Sequence, residues 1–186
     1  MSTALILIDI QNDYFPGGKM ELYGSTQAAS AAARLLGAFR KQSWSIYHIQ
    51  HISLQPGASF FLPDTTGAEI HNSVRPLAGE TVISKHYPNS FRETGLLEQL
   101  KAAGHKQLLL CGMMSHMCVD STVRAAFDLG FQCVLTHDAC ATRELVFDGT
   151  TVPAVQVHAA YMAALGAVFA QIKGVDEILE NMAATN

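Results

Sequence analysis

Leu108-Leu109-Leu110-Cys111-Gly112-Met113-Met114-Ser115-His116-Met117-Cys118-Val119-Asp120-Ser121-Thr122 reads as a buried strand, a tight turn opened by Gly112, and a helix that starts near Cys118. A cysteine at a helix start meets unpaired backbone N–H groups and the positive end of the helix dipole. Both favour the thiolate over a thiol whose ordinary pKa is about 8.5. The same N–H groups would hold an oxyanion if the sulfur attacked a carbonyl. The competing reading is a small apolar residue filling space between strand and helix.

The pattern extends outward in both directions. Ala4 to Ile10 is a continuous apolar run interrupted only by Asp9, as in a central strand covered on both faces. A polar, glycine-rich loop follows, Gln11-Asn12-Asp13-Tyr14-Phe15-Pro16-Gly17-Gly18. Ser25 to Gln42 carries the apolar spacing of a helix, and Ser45 to Ile52 reads as the second strand. Residues 53–80 form a long irregular segment, a length usually reserved for function. Thr81 to Lys85 is a β-branched strand, and Arg92 to Gly104 a helix closed by its glycine. After the opening stretch, whose helix is expected to reach Gly130, Phe131 to Ala139 is a buried strand followed by a polar turn. A helix is expected from Pro153 to Leu165, a last strand over Gly166 to Ile172, and a terminal helix from Val175 to Met182.

Strands near 4–9, 45–51, 81–85, 107–111, 132–137 and 167–171 alternate with helices, which predicts an α/β fold. The expectation is one three-layer α/β/α domain over residues 1–186, with a six-stranded, mainly parallel sheet in the order 3-2-1-4-5-6. In that order strands one and four flank the switch point. Their carboxyl ends bring Asp9 and Cys118 together, with Lys85 on strand three nearby.

Composition narrows the function classes. The net charge is −4 with no basic cluster, so nothing points to nucleic acid. The first apolar run is too short to span a membrane and ends in a carboxylate. Four cysteines without a C-x-x-C pair argue against a zinc ribbon or a dithiol redox motif, and a reduced, cytoplasmic setting is expected. His48 and His51 are three apart on a strand, so they point to opposite faces and make a poor metal pair. The first turn lacks the glycine fingerprint of a dinucleotide site.

Asp9, Lys85 and Cys118 together make a nucleophile system without histidine or metal. Asp9 takes the thiol proton and returns it to a leaving amine. Lys85 steadies the carboxylate and lowers the thiol pKa. Attack on a carboxamide gives an oxyanion and then a thioester that water hydrolyses.

Ile8-Asp9-Ile10-Gln11-Asn12-Asp13-Tyr14-Phe15, Ile83-Ser84-Lys85-His86-Tyr87-Pro88-Asn89-Ser90-Phe91, Gly112 to Val119 and Asp138-Ala139-Cys140-Ala141-Thr142 occur in the order in which similar motifs occur elsewhere. On these the chain resembles the isochorismatase-like cysteine hydrolase superfamily over almost its full length. The resemblance implies Asp9, Lys85 and Cys118 as a catalytic triad. It also implies a cis peptide between Met113 and Met114, and an oxyanion hole from the backbone N–H groups of Met114 and Cys118. Nicotinamidase-like members carry an Asp-x-His metal pair after the second strand. Here that stretch is Ile49-Gln50-His51-Ile52-Ser53, without the aspartate, so neither metal nor cofactor is expected despite His71 downstream. Isochorismatases proper cleave a vinyl ether and do not need the cysteine, so a cysteine beside Asp9 and Lys85 favours C–N hydrolysis. A silent binding protein of the same fold is the alternative of a different class. Candidates for substrate contact are Gln11, Phe15, His51, Phe60, Phe61, Tyr87, Phe91, Ser115 and His116. The expected partner is a small molecule, and the Phe60-Phe61 loop and alanine-rich helices suit a homo-oligomer, dimer or tetramer.

Overall fold

The computed structural model describes residues 3–184; the ends of the expected 1–186 domain lie outside them. Six parallel strands form the main sheet: β1 (Thr3–Ile8), β2 (Ile46–His51), β3 (Thr81–Lys85), β4 (Gln107–Met113), β5 (Gln132–Ala141) and, after a separate hairpin of β6 (Leu145–Phe147) and β7 (Thr150–Val152), β8 (Gln171–Lys173). Their order is β3-β2-β1-β4-β5-β8, the order expected, with β8 as the sixth strand.

The strands sort the chain's apolar side chains by parity. Leu5 and Leu7 of β1 face a layer built from α1 (Ser25–Lys41) and α5 (Val175–Ala184), with Leu35, Leu36 and Phe39. Ala4, Ile6 and Ile8 face the other way, onto α2 (Leu96–Ala102), α3 (Asp120–Asp128) and α4 (Ala154–Val168), with Leu100, Val123 and Leu165. A strand's side chains alternate between faces, so a continuous apolar run is what a strand covered on both sides requires. Glu80, just before the edge strand β3, receives Arg40 of α1 through two contacts of 2.7 and 2.8 Å, and His48 of β2 at 2.9 Å.

Several expected boundaries move. The segment read as a last strand over 166–172 is instead the end of α4, and the strand begins only at Gln171. The N–H groups of Phe169 and Ala170 both donate to the Leu165 carbonyl, closing the helix and turning the chain back. Gly166 lets the two elements touch, because a Cβ there would lie 2.9 Å from Ile172 Cγ1. The helix expected from Arg92 begins only at Leu96. The helix expected at Cys118 is preceded by a π-helical turn, Ser115–Val119, and α3 proper runs from Asp120 to Asp128 rather than to Gly130. The strand expected to end near 137 continues to Ala141 past a register shift, beyond which Gly112 pairs with Cys140. The outturned Asp138 accepts the Val175 N–H through both carboxylate oxygens (3.0 and 3.1 Å), capping α5. The polar turn after β5 holds the β6–β7 hairpin, joined by Asp148 and Gly149 with positive φ values of 47° and 73°.

Gly112 marks where β4 bends into the site. Its φ is +131°, and a Cβ there would fall 2.0 Å from the Ile8 carbonyl oxygen, so only glycine lets β4 pass this close to β1. Gly112→Ala should therefore cost at least about 1–3 kcal/mol, through overpacking and backbone strain together. A shift in the urea midpoint measures it; an unchanged midpoint would show that β1 and β4 separate freely here.

Candidate active site

Three strand ends and one turn build the site. β1 ends at Ile8, and Asp9 follows with a φ of +49°, a left-handed conformation uncommon outside glycine that swings its side chain out of the strand's alternation. β3 ends on Lys85, beside His51 in the β2–β3 register. Beyond the cis Met113–Met114 peptide, the π-helical turn presents Cys118. Acceptor atoms of Asp9, His51 and Cys118 lie within 4.8 Å of one another.

Lys85 is buried, against the solvated strand end that a lysine usually marks. Its Nζ lies 2.7 Å from Asp9 Oδ2, with both side chains fully enclosed. The contact is a buried ion pair, and Asp9 Oδ1 has no hydrogen-bond partner among the described residues. Nζ also donates to His51 Nδ1 at 3.0 Å and to the Tyr87 carbonyl at 3.1 Å. Burial pulls the Lys85 pKa down, but the adjoining Asp9 carboxylate outweighs it, so the ammonium is held above its ordinary range. For His51, burial and then the Lys85 charge push the imidazole down to about 4, against the opposing pull of Asp9, so it is neutral at physiological pH.

The Cys118 thiol goes the other way from the sequence expectation. Burial, and then the Asp9 carboxylate, push it up, and the nearby Lys85 charge only partly offsets them. The resting site is therefore a neutral thiol beside a carboxylate–ammonium pair, not a preformed thiolate. The helix-start argument overlooked that Cys118 lies buried in the turn before α3, with the Asp9 carboxylate within 4.8 Å.

Cys118 forms part of the wall of a cavity of about 400 Å³, with Met114, Met117, Met20, Tyr14, His51, Phe60, His86 and Arg143 among its other walls. Tyr14, whose hydroxyl is held well above its ordinary pKa by burial and by Cys118 and Asp9, belongs to the site although the sequence reading passed over it. Arg143, on the link between β5 and β6, makes no ion pair among the described residues. Its sequence signal was a lone arginine directly after the Asp138-to-Thr142 motif. A larger groove of about 480 Å³ beside Phe15 and Gly18 contains none of Asp9, Lys85 or Cys118.

Of the nine residues singled out for substrate contact, His51 and Phe60 line the cavity with Cys118. Gln11 is fully buried and is spent on the backbone of His51. Phe15 stacks on the His71 ring at 3.6 Å, in the other groove. Phe61 is buried against Tyr14, while Phe60 is half-buried. Exposed apolar residues include Leu54 and Leu62 in the same segment, Val146 and Phe147 of the hairpin, and Val155 and Val168 of α4. Tyr87 gives its carbonyl to Lys85 while its ring carries the Arg92 guanidinium at 3.6 Å. Phe91 stacks on Phe131. Ser115 turns away to the Ala141 carbonyl and His158, and His116 to the Thr142 hydroxyl. These two fix the turn that carries Cys118 rather than line the cavity.

Asp9, His51 and Cys118 are also the grouping that could hold a metal ion among the described residues. The Lys85 ammonium already occupies the space between Asp9 and His51, and a dication there would meet a fixed positive charge. His48, the other histidine of β2, is engaged by Glu80.

The residues 3–172 match the family model described as the isochorismatase domain. An uncharacterized isochorismatase family protein of Bacillus subtilis, YddQ, is 52% identical over 180 residues, covering 97% of this chain and 100% of that protein. The ureidoacrylate amidohydrolase RutB of Acinetobacter baylyi is 28% identical over 171 residues, 74% of this chain and 70% of its own length. A solved structure from Oleispira antarctica, assigned as an isochorismatase hydrolase, superposes with a TM-score of 0.93 at 48% identity, covering 96% of each chain.

Removing either member of the Lys85–Asp9 pair leaves a buried charge alone. Lys85→Met and Asp9→Asn should each cost about 3–5 kcal/mol, and the double variant much less than their sum. Chemical denaturation of the three variants measures this; additive losses would mean the pair is not coupled. The same variants should move the thiol in opposite directions. Asp9→Asn removes a charge that raises the Cys118 pKa, so alkylation by iodoacetamide near pH 8 should quicken; Lys85→Met should slow it.

Proposed function

Because the chain belongs to the isochorismatase family, we propose that it is a metal-independent cysteine hydrolase that opens the C–N bond of a small amide, imide or ureido compound. The observation that carries this reading is the meeting of Cys118 with Asp9 and the buried Lys85 at a cavity wall. A sulfur nucleophile beside a general base is the equipment of acyl transfer. The ureidoacrylate amidohydrolase among the relatives is named for chemistry of this kind.

The proton moves with the attack. Asp9 takes the proton of the Cys118 thiol as sulfur bonds to the carbonyl carbon, and the oxygen becomes an oxyanion held by the N–H groups of Met114 and Cys118. The oxyanion collapses, the C–N bond breaks, and Asp9 passes its proton to the departing nitrogen. Asp9 then draws a proton from water, whose oxygen attacks the thioester. The C–S bond breaks, and the sulfur recovers its proton from Asp9. Lys85 keeps its own protons throughout and holds the carboxylate beside the sulfur. A thiol that ionises only as substrate arrives is guarded from other electrophiles while the site is empty.

Ammonia release from a panel of small amides, imides and ureido acids, with wild type and Cys118→Ala in parallel, tests the reading. The substitution should reduce turnover by at least about 10³-fold. Activity that survives it would overturn the thioester route and favour ether hydrolysis of the isochorismatase type. Arg143 supplies a second expectation. A cation on a largely apolar cavity wall suits a substrate with a carboxylate. Arg143→Ala should raise KM about 10- to 100-fold for carboxylate-bearing amides and little for neutral ones, as expected for loss of a charged hydrogen bond of about 1.5–3 kcal/mol. Equal effects on both would remove the arginine from substrate selection.

A further inference from the structure

Gln11 and His51 have no step in the mechanism above, yet they are joined to it by short contacts. Gln11 lies two residues beyond Asp9 and is fully buried. Its side-chain amide grips the His51 backbone from both sides: Oε1 accepts the His51 N–H at 2.7 Å, and Nε2 donates to the His51 carbonyl at 2.8 Å. Nε2 also donates to the Ala68 carbonyl at 2.8 Å, which anchors the clamp in the long irregular segment. The His51 ring then meets Lys85 at 3.0 Å through Nδ1.

The chemistry of that last contact assigns every proton. An ammonium has three N–H groups and no lone pair, so Lys85 must donate and Nδ1 must accept. His51 is therefore a neutral imidazole with its proton on Nε2, in agreement with the downward push that burial, Lys85 and His86 give it against Asp9. The three Lys85 protons face three partners: Asp9 Oδ2, His51 Nδ1 and the Tyr87 carbonyl. The contacts close a ring, from Asp9 along the chain to Gln11, across to His51, on to Lys85 and back to Asp9.

We propose that His51, clamped by Gln11, is a positioning residue that fixes the Lys85 ammonium between Asp9 and Cys118 by accepting one of its protons at Nδ1. An imidazole so engaged cannot serve as the general base, because its one lone pair is occupied. Its Nε2–H is left as a donor, on a ring that lines the cavity. This inference builds on the role given to Lys85 under the proposed function, but its main readout needs no substrate.

Asparagine can place an acceptor oxygen near the position of Nδ1, and leucine offers none. In His51→Leu the pH profile of Cys118 alkylation by iodoacetamide should move to higher pH, because the cation that eases thiol ionisation is no longer held. His51→Asn should restore most of the wild-type profile. The groups facing the ring are Lys85, His86, Asp9 and Cys118, so the profile is read against Lys85→Met, which shows the limit of a lost ammonium. With any substrate the amide panel yields, kcat should fall about 10- to 100-fold in His51→Leu, as for a displaced catalytic group, with KM changing less. Coincident alkylation profiles for Leu, Asn and wild type would overturn the proposal, and so would a loss confined to KM. If the leucine variant does not fold, nitrogen-15 NMR of the wild-type imidazole decides: a proton on Nε2 supports the proposal, and a proton on Nδ1 or an imidazolium at neutral pH overturns it. A silent amide panel with shifted alkylation would defeat the C–N reading while leaving the clamp standing.

Discussion

The buried contact between Lys85 and Asp9 governs the rest of the site. Taking an ammonium and a carboxylate out of water costs several kcal/mol per ion, and mutual attraction compensates only when the remaining polar groups are also satisfied. The fold meets that requirement on the lysine side, with the Tyr87 carbonyl and His51 Nδ1 as further acceptors. On the carboxylate side it leaves an oxygen without a hydrogen-bond partner, next to a thiol. That imbalance leaves the carboxylate beside the thiol rather than in a closed network of donors.

The sheet order makes this meeting possible. With β1 between β2 and β4, and β3 beyond β2, the carboxyl ends carrying Asp9, His51, Lys85 and the catalytic turn open on the same side. This follows from right-handed crossovers applied to alternating strands and helices, which is why the meeting of Asp9, Lys85 and Cys118 could be expected from the sequence before any contact was known. β1 and β4 announce themselves as unbroken apolar runs, and such runs belong only to strands covered on both faces.

What the sequence concealed has a common cause: tertiary contacts overriding local pattern. Val168 and Phe169 look like strand residues, but α4 runs through Val168 and closes there, the Leu165 carbonyl accepting the N–H groups of Phe169 and Ala170. Lys85 looks solvated because nothing in its neighbours reveals that Asp9, far away in the chain, will neutralise it. The thiol was expected to ionise because a helix start is a local feature, whereas the burial and the carboxylate that oppose ionisation are assembled by the fold. Gln11, Ser115 and His116 were read as ligand contacts because they are polar and lie beside the motifs, yet each spends its hydrogen bonds on the frame that holds the reacting groups. The β6–β7 hairpin is a different case. Asp148-Gly149 is a strong local signal for such a turn, and it was present in the sequence from the start.

Lys85 lies at the end of β3, and β3 is an edge of the sheet, paired on one side only. Its beginning is tied down by Glu80, and its end by the contacts of the lysine itself. Edge elements with few buried side chains open locally before a protein unfolds as a whole. The Lys85 ammonium is thus mounted on an edge strand, while Cys118 follows one of the most deeply buried strands. On warming, such an edge would loosen the contacts of Lys85 before the sheet as a whole gives way, and cooling would let the strand reseat.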